Sequence, residues 1–262
     1  MQAEKVVDHI VDWLKSYANN AKCKGFVIGV SGGIDSALTS TLCAKTGLQL
    51  LCVEMPIHQG AKQVTRATNH IEWLMKHFDN VSRVEVNLTP VFDNLILALP
   101  EVDNEESRMM SLANTRARLR MTSLYYFAGL KGYLVAGTGN KVEDFGIGFY
   151  TKYGDGGVDL SPIADLLKTE VYEVAKFLGV NHEILVAPPT DGLWGDSRTD
   201  EDQIGASYPE LEWAMRMKDE GKTTEDFEGR EKEVFTIYSR YNTANRHKMI
   251  PIPVCEIPEE LK

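Results

Sequence analysis

The chain lacks the features that mark membrane, secreted and disulfide-linked proteins. Among its 262 residues, no apolar run is long enough to span a bilayer. Glu4, Asp8 and Asp12 are scattered through the first residues, which does not fit a signal peptide. We therefore expect a cytoplasmic protein with no membrane partner.

Cysteine is also sparse, and acidic residues outnumber basic ones, 38 to 28. The four cysteines are spread without a C-x-x-C pair, which excludes the usual zinc knuckles and a disulfide framework: Cys23, Cys43, Cys52 and Cys255. The formal net charge is −10, whereas general nucleic-acid binders present a basic surface. We expect no nucleic-acid partner, although a nucleotide ligand needs only a local basic pocket.

The most informative segment that is present runs from Phe26 to Leu38. Its apolar start predicts a buried parallel strand, Ser-Gly-Gly predicts a tight turn, and a helical pattern begins at Ile34 and continues to about Lys45. Such a turn presents backbone N–H groups and the positive end of the helix dipole to an anion. The segment therefore predicts a phosphate site.

This phosphate loop is not the common P-loop, because no lysine follows its second glycine. Its two serines supply hydroxyl groups, and Asp35 supplies a carboxylate that can hold magnesium against bound phosphates. The candidate phosphate-binding residues are Gly29, Val30, Ser31, Gly32, Gly33, Ile34, Asp35 and Ser36. The alternative, a tight turn that merely needs glycine, stays open here.

Strands and helices alternate along the first 140 residues, which predicts right-handed βαβ crossovers. The predicted strands are 26–30, 50–53, 84–88 and 133–137; the predicted helices begin near Val6, Ile34, Ala61, Pro90, Glu106, Lys168, Tyr208 and Glu231. We expect an α/β fold, a doubly wound, Rossmann-like parallel sheet with helices on both faces. Residues 1–262 are expected to form one domain, with a long loop over 188–202. Ligands should lie at the carboxyl ends of the strands.

The loop Ser-Gly-Gly-x-Asp-Ser resembles the pyrophosphate loop of the N-type ATP pyrophosphatases, which share the adenine nucleotide alpha hydrolase-like fold. More specific motifs accompany it: 114–121 (NTRARLRM), Gly137-Thr138, 149–160 (FYTKYGDGGVDL), Pro189-Thr190, 199–201 (TDE) and His247-Lys248. Together they resemble the ammonia-dependent NAD synthetases, from Gly29 to Pro251. The run Thr-Lys-Tyr-Gly-Asp-Gly-Gly is the most specific of these motifs.

The resemblance implies an activity and assigns residues to it. Magnesium-ATP would adenylate deamido-NAD (nicotinic acid adenine dinucleotide), and ammonia would displace AMP. It implies that Thr138, Lys168 and Thr190 join the phosphate loop in binding ATP, and that Glu143 joins Asp35 in holding Mg²⁺. The residues implied for deamido-NAD are Arg118, Lys152, Asp159, His247 and Lys248. No side chain is assigned as a nucleophile, and the chain shows no length for a fused glutaminase.

One position departs from the family pattern. Glu54 stands at a strand end where many relatives carry an arginine that frames the adenosine of ATP, so the adenine contacts stay undetermined. Arg116 and Arg120 share one side of a helix and are given no assigned role. Three alternatives remain open: a GMP synthetase-type amidating domain, a tRNA thiolase, and a non-catalytic nucleotide-binding module.

The resemblance also implies a homodimer. The predicted helix 106–130 carries more apolar side chains than one face needs to cover its own sheet: Met109, Leu112, Met121, Leu124, Tyr125 and Phe127. We expect this helix to supply a subunit interface.

Overall fold

A parallel sheet of four strands lies at the centre of the protein, seen in a computed structural model that describes residues 1–190 and 199–262. The strands are β1 (Gly25–Gly29), β2 (Gln49–Glu54), β3 (Val81–Glu85) and β4 (Leu134–Val135), in the order β3-β2-β1-β4. A parallel bridge between Ala136 and Leu160 continues the edge next to β4. Phe26, Val27 and Ile28 of β1 are fully buried, as expected for a central strand covered on both faces.

Helices cover both faces of the sheet. The helices are α1 (Ala3–Asn20), α2 (Ile34–Lys45), α3 (Ala61–His77), α4 (Thr89–Ala98), α5 (Glu105–Lys131), α6 (Lys168–Phe177), α7 (His182–Leu185), α8 (Asp200–Ile204), α9 (Tyr208–Asp219) and α10 (Gly229–Met249). On one face α1, α2, α3, α6 and α7 pack with Phe26 and Ile28. On the other face α4 and α5 pack with Val27. The doubly wound α/β fold is thus confirmed.

A third hydrophobic cluster lies beside the sheet. It joins a π-helix, Val142–Ile147, to α8, α9 and α10. Short 3₁₀ turns at Thr224–Asp226 and Glu259–Leu261 complete the described elements. Because the π-helix follows β4 and carries Glu143, this cluster fixes one wall of the functional site. None of the described helices combines the length and apolar character needed to cross a membrane.

Several predicted boundaries were wrong. The fourth strand was predicted over 133–137, but regular pairing covers only Leu134–Val135. β3 spans Val81–Glu85, not 84–88. The alternating pattern continues past the strand because Val86 N–H still donates to Glu54 O (2.8 Å) and Leu88 N–H to Pro56 O (3.1 Å).

The last helix continues to Met249, eight residues beyond its predicted end near Tyr241. Two asparagine side chains attach this polar extension to the π-helix: Asn242 and Asn245 donate to the carbonyls of Gly146 and Ile147, both at 2.8 Å.

The predicted loop 188–202 falls partly at 191–198, which lie outside the described residues. Its end was wrong, because α8 begins at Asp200. Thr199 caps that helix by accepting a hydrogen bond from Asp202 N–H at 3.1 Å.

Candidate nucleotide-binding site

A cavity of about 850 Å³ opens at the carboxyl edge of the sheet, where the turns after β1, β2 and β4 meet. The phosphate loop forms its floor and leads into α2. Gly33 is the N-cap of α2 and has no side chain to satisfy the first N–H groups of the helix. Those donors and the helix dipole therefore remain free to bind an anion, as the sequence predicts.

Local hydrogen bonds hold the loop in shape. Ser36 Oγ accepts from Ser31 N–H (3.2 Å) and donates to Gly33 O (3.0 Å). Gly32 has φ +80°, and a Cβ there would come within 2.8 Å of Gln63 O and 3.0 Å of Ala67 N. Glycine is required at position 32 because of both its conformation and the close approach of α3.

One lysine joins the two predicted metal-binding carboxylates. Lys168 Nζ donates to Asp35 Oδ2 at 2.6 Å and to Glu143 Oε1 at 2.9 Å. The three side chains are only 4 %, 17 % and 18 % exposed, respectively. Lys168 is the first residue of α6, a place where the helix dipole disfavours a cation. The two carboxylates offset that cost.

Tyr208, a residue of the third hydrophobic cluster, completes the group formed by Lys168, Asp35 and Glu143. Its hydroxyl donates to Glu143 Oε1 at 2.6 Å, and its ring centroid lies 4.8 Å from Lys168 Nζ. The same hydroxyl lies 3.5 Å from Asp200 Oδ2. Glu143 is thus fixed by a neutral donor and a cation, and Lys168 gains a cation–π contact.

Burial and pairing act in opposite directions on these groups. Burial, reinforced by the Glu143 carboxylate, raises the pKa of Asp35 despite the attraction of Lys168. Burial also acts to raise the pKa of Glu143, but Lys168 and the Tyr208 hydroxyl outweigh it and lower that pKa. Burial acts to lower the pKa of Lys168, yet the two carboxylates raise it overall. The lysine is therefore a stable cation in this site.

A further acidic residue with a shifted pKa, Asp144, lies in the same wall. Burial raises the pKa of Asp144 to about 8, and the charges of Glu143, Asp155 and Asp35 add to the rise. Asp144 lines the cavity beside Gly139, where a Cβ would lie 2.0 Å from its Oδ2. Four acidic side chains therefore lie close together in this wall: Asp35, Glu143, Asp144 and Asp155.

The two remaining predicted ATP ligands also reach the cavity. Thr138 lies in the turn after β4, and Thr190 lies at the end of the segment that follows α7; both line the cavity. The structure thus brings these residues together with the phosphate loop, Lys168 and Glu143, although they are far apart in sequence.

The residues predicted to bind deamido-NAD are divided among three places. Lys248 lines the cavity and donates to the carbonyls of Gly148 (2.8 Å) and Tyr150 (2.9 Å). Lys152 Nζ donates to His247 O at 2.7 Å, and Arg118 Nε donates to Lys152 O at 3.3 Å. Arg118, Lys152 and His247 therefore form a connected group outside the lining of the cavity.

Asp159 lies apart from that group. Its Oδ1 accepts from the Tyr125 hydroxyl at 3.0 Å, and its Oδ2 accepts from Val135 N–H at 2.8 Å. These contacts attach the loop 149–160 to α5 and to β4. In this structure they give Asp159 a visible structural role.

The position that departs from the family pattern lines the cavity at the end of β2. Glu54 is buried, forms an ion pair with Arg83 and accepts from Thr68 Oγ1 at 2.7 Å. Nearby, Arg120 Nε donates to Met55 O at 3.1 Å, and burial lowers the pKa of Arg120 to about 10. The cavity wall at this end is therefore built from a paired acid and a carbonyl-bound arginine.

Sequence reasoning missed two residues that organise the site. Asn140 is fully buried, donates to Asp35 Oδ1 at 3.0 Å and accepts from the N–H groups of Val142 and Glu143 at 3.1 Å. The sequence could have predicted the role of Asn140, because asparagine after a glycine turn is a common helix cap. It could not have predicted that of Tyr208, because Tyr-Pro indicates only the start of a helix.

Comparison with known proteins identifies the family. The model of the NAD synthase family matches residues 6–251. The chain belongs to the NAD synthase family. It is 38% identical over 215 residues to the NH(3)-dependent NAD(+) synthetase of Carboxydothermus hydrogenoformans, covering 80% of this chain and 84% of that protein.

Two solved structures superpose on nearly the whole chain. The NMN synthetase from Francisella tularensis has a TM-score of 0.83 and 28% identity, with 99% of each chain covered. The NH3-dependent NAD synthetase from Campylobacter jejuni, in complex with the nitrate ion, has a TM-score of 0.77 and 25% identity, covering 98% of this chain and 100% of that one. The family and the fold class predicted from the sequence are confirmed. The family match favours neither a GMP synthetase-type domain nor a thiolase.

Proposed function

We propose that this NAD synthase family chain is an ammonia-dependent NAD synthetase. A carboxylate oxygen of the nicotinate group of deamido-NAD attacks the α-phosphorus of ATP, and the bond to the β-phosphate breaks, so that pyrophosphate leaves with the electron pair. Ammonia then attacks the carbonyl carbon, AMP leaves, and a proton is lost from nitrogen to give the amide. The observation that carries this proposal is the contact of Lys168 with both Asp35 and Glu143 beside the phosphate loop.

The residues present fit a magnesium ion. Mg²⁺ prefers oxygen ligands and usually binds one or two carboxylates together with substrate phosphates. Asp35 and Glu143 offer such oxygens on either side of Lys168 Nζ. Bound there, the ion would neutralise charge on the departing pyrophosphate. We propose that Asp35 and Glu143 hold it, while Lys168 moves its ammonium to the phosphates of ATP.

The chain positions ATP through backbone and hydroxyl donors. The N–H groups at the start of α2, with Ser31 and Ser36, face the phosphates, and Thr138 and Thr190 bind from the facing walls. A bound phosphate chain is thus held in place before charge builds up on the leaving group. A non-catalytic nucleotide module does not need the Lys168 cluster, which favours an enzyme.

Deamido-NAD is proposed to bind across the mouth of the site. Lys248 lies in the cavity wall, whereas Arg118, Lys152 and His247 lie together just outside it. We propose that Lys248 contacts the reacting end of the dinucleotide and that the outer group and Asp159 contact the remainder. The roles of these five residues rest on the family resemblance together with this placement.

We further propose that the whole chain, 1–262, acts as one domain in the cytoplasm and forms a homodimer. One cavity is lined by residues from Gly29 to Lys248, which supports a single functional unit. Leu112, Leu124 and Phe127 of α5 pack into the core of their own chain. The apolar side chains that α5 leaves exposed are Met110, Tyr125, Tyr126 and Leu130.

The activity is tested directly. Purified protein is mixed with Mg-ATP, deamido-NAD and ammonium, and NAD is followed with a coupled dehydrogenase. NAD formation that requires all three substrates, with AMP and pyrophosphate released in equal amounts, supports the proposal. Release of ADP, or no amide product, would contradict it.

A second candidate is amidation of the mononucleotide. The superposition with the Francisella tularensis NMN synthetase has a TM-score of 0.83 and covers 99% of both chains. In addition, four of the five predicted dinucleotide ligands lie outside the lining of the cavity. The same assay with nicotinate mononucleotide decides between the candidates: a higher kcat/KM for the mononucleotide than for deamido-NAD would favour the second function.

A further inference from the structure

The phosphate loop has no cation of its own. Its residues, 31–36, include an acid but no lysine or arginine. Lys168, which reaches the loop at Asp35, is bound to both Asp35 and Glu143, so these three side chains carry more negative than positive charge when both acids are ionised. Pyrophosphate leaving ATP carries several negative charges. A further cation beside the loop would therefore lower the energy of the step in which that charge develops.

Arg66 occupies such a position. It lies in α3, and its Nε donates to Gly32 O at 3.3 Å. The contact depends on glycine, because a Cβ on Gly32 would meet the Arg66 Cβ at 3.2 Å. The close packing of α3 on the loop thus places a guanidinium group directly beside the backbone that faces the phosphates.

The guanidinium keeps most of its hydrogen-bonding capacity. Only the Nε–H of Arg66 bonds to the loop, and the two Nη groups carry the remaining donors. In the part of the chain that the structure describes, no carboxylate lies within ion-pair distance of Arg66. Among the other cations that line the cavity, Lys168 pairs with two acids and Lys248 is bound to two carbonyls. Arg120 also donates through its Nε to a carbonyl, but that carbonyl belongs to Met55 at the end of β2 and not to the phosphate loop.

We propose that Arg66 binds the phosphates of ATP that leave as pyrophosphate. Resting on the proposed function, this inference adds a residue that the phosphate-loop motif does not contain. A planar guanidinium binds two phosphate oxygens at once, which suits a loop that already offers backbone donors from the other side. The hydrogen bond to Gly32 O orients the side chain before the ligand arrives, so Arg66 acts both as a phosphate ligand and as part of the wall.

The test measures binding of inorganic pyrophosphate to the whole protein by calorimetry, with magnesium present, and compares it with binding of AMP. Arg66→Met should raise the Kd for pyrophosphate at least tenfold and change that for AMP less than twofold. Arg66→Lys should recover part of the loss, because it restores the charge but not the fork. Lys76→Met, an exposed lysine of the same helix outside the cavity, is the matched control and should bind both ligands as the wild type does.

Three results would overturn the inference: no pyrophosphate binding by the wild type, an unchanged Kd in Arg66→Met, or equal losses for pyrophosphate and AMP. The experiment needs no turnover. If the protein makes no NAD yet shows the Arg66-dependent difference, the proposed function fails and the phosphate-binding role of Arg66 stands.

Discussion

Asn140 and Asp35, 105 positions apart in sequence, are joined by a hydrogen bond of 3.0 Å from Asn140 Nδ2 to Asp35 Oδ1. The opposite end of the same amide accepts from the N–H of Glu143 at 3.1 Å. One buried side chain therefore orients both proposed metal ligands, leaving Asp35 Oδ2 directed at Lys168. Asn140 acts as a positioning residue for the centre.

Substituting Asn140 should weaken magnesium activation. Asn140→Ala removes the hydrogen bond to Asp35 and leaves two N–H groups of the π-helix without their acceptor, so both carboxylates lose orientation. Outer hydrogen-bond partners of metal ligands typically contribute about 10–100-fold in metal affinity or activity. We expect the magnesium concentration for half-maximal rate to rise by about that factor.

The check is a magnesium titration of the initial rate. Asn94→Ala serves as control, because Asn94 is exposed and donates to Pro90 O within α4, away from the site. An unchanged magnesium midpoint in Asn140→Ala, together with a native circular dichroism spectrum, would contradict the positioning role.

The parts of the site that sequence predicted are those with a local pattern. The phosphate loop was identified because strand, glycine turn and helix occur within thirteen residues, and the observed helix matches its predicted span, Ile34–Lys45. Lys168 was assigned through the family resemblance, and its place at the start of α6, where the helix dipole disfavours a cation, is also unusual.

The parts that sequence did not predict depend on contacts between distant segments. Tyr208 reaches Glu143 only because α9 packs against the π-helix in the third hydrophobic cluster. The π-helix itself is held by asparagines of α10, about 98 residues further along the chain. No periodicity within either segment carries that information.

Asp35→Asn should lose most of the activity while the fold persists. The substitution removes the negative charge that faces Lys168 and one of two proposed metal ligands, although the amide keeps the shape of the side chain. We expect kcat/KM to fall by at least about 100-fold, the scale on which charge-stabilising groups act. Full turnover at saturating magnesium would show that Asp35 is not a metal ligand; circular dichroism separates this from unfolding.

Lys152→Ala should change the use of one substrate only. Lys152 belongs to the group outside the cavity, where its ammonium donates to His247 O, and it has no contact with the phosphate loop. The KM for deamido-NAD should therefore rise much more than the KM for ATP. Steady-state kinetics with each substrate varied in turn measure both. A matched rise in both KM values, or a rise in the KM for ATP alone, would contradict the assignment of Lys152 to deamido-NAD.

The exposed side of α5 should support a dimer. Stable homodimer interfaces bury roughly 2,000 Å² or more and are largely apolar. Tyr126 is 65% exposed and Leu130 67% exposed, which is costly on a free surface. Light scattering at low micromolar concentration should give twice the mass of one chain. Tyr126→Lys should raise the dissociation constant at least tenfold, whereas Val186→Lys, equally exposed but after α7, should not. A wild-type protein that is monomeric and fully active would contradict the interface role of these side chains.

His70 should make the fold sensitive to acid. It is fully buried in α3, and its Nε2 lies 2.9 Å from Ser40 Oγ of α2, the helix that follows the phosphate loop. Burial lowers the pKa of His70 to about 4, against an ordinary value of 6.5. Between these values the unfolded chain binds the proton and the folded chain does not, so the free energy of unfolding falls as the pH falls through this window. The full effect is about 3 kcal/mol at 1.36 kcal/mol per pKa unit.

Urea unfolding of wild type and His70→Gln at pH 7 and pH 4.5 measures this effect. The wild type should lose about 2–3 kcal/mol more of its free energy of unfolding than the variant over this interval. His77→Gln, at the exposed end of the same helix, should behave as the wild type. Equal losses in wild type and His70→Gln would show that His70 accepts its proton in the folded protein.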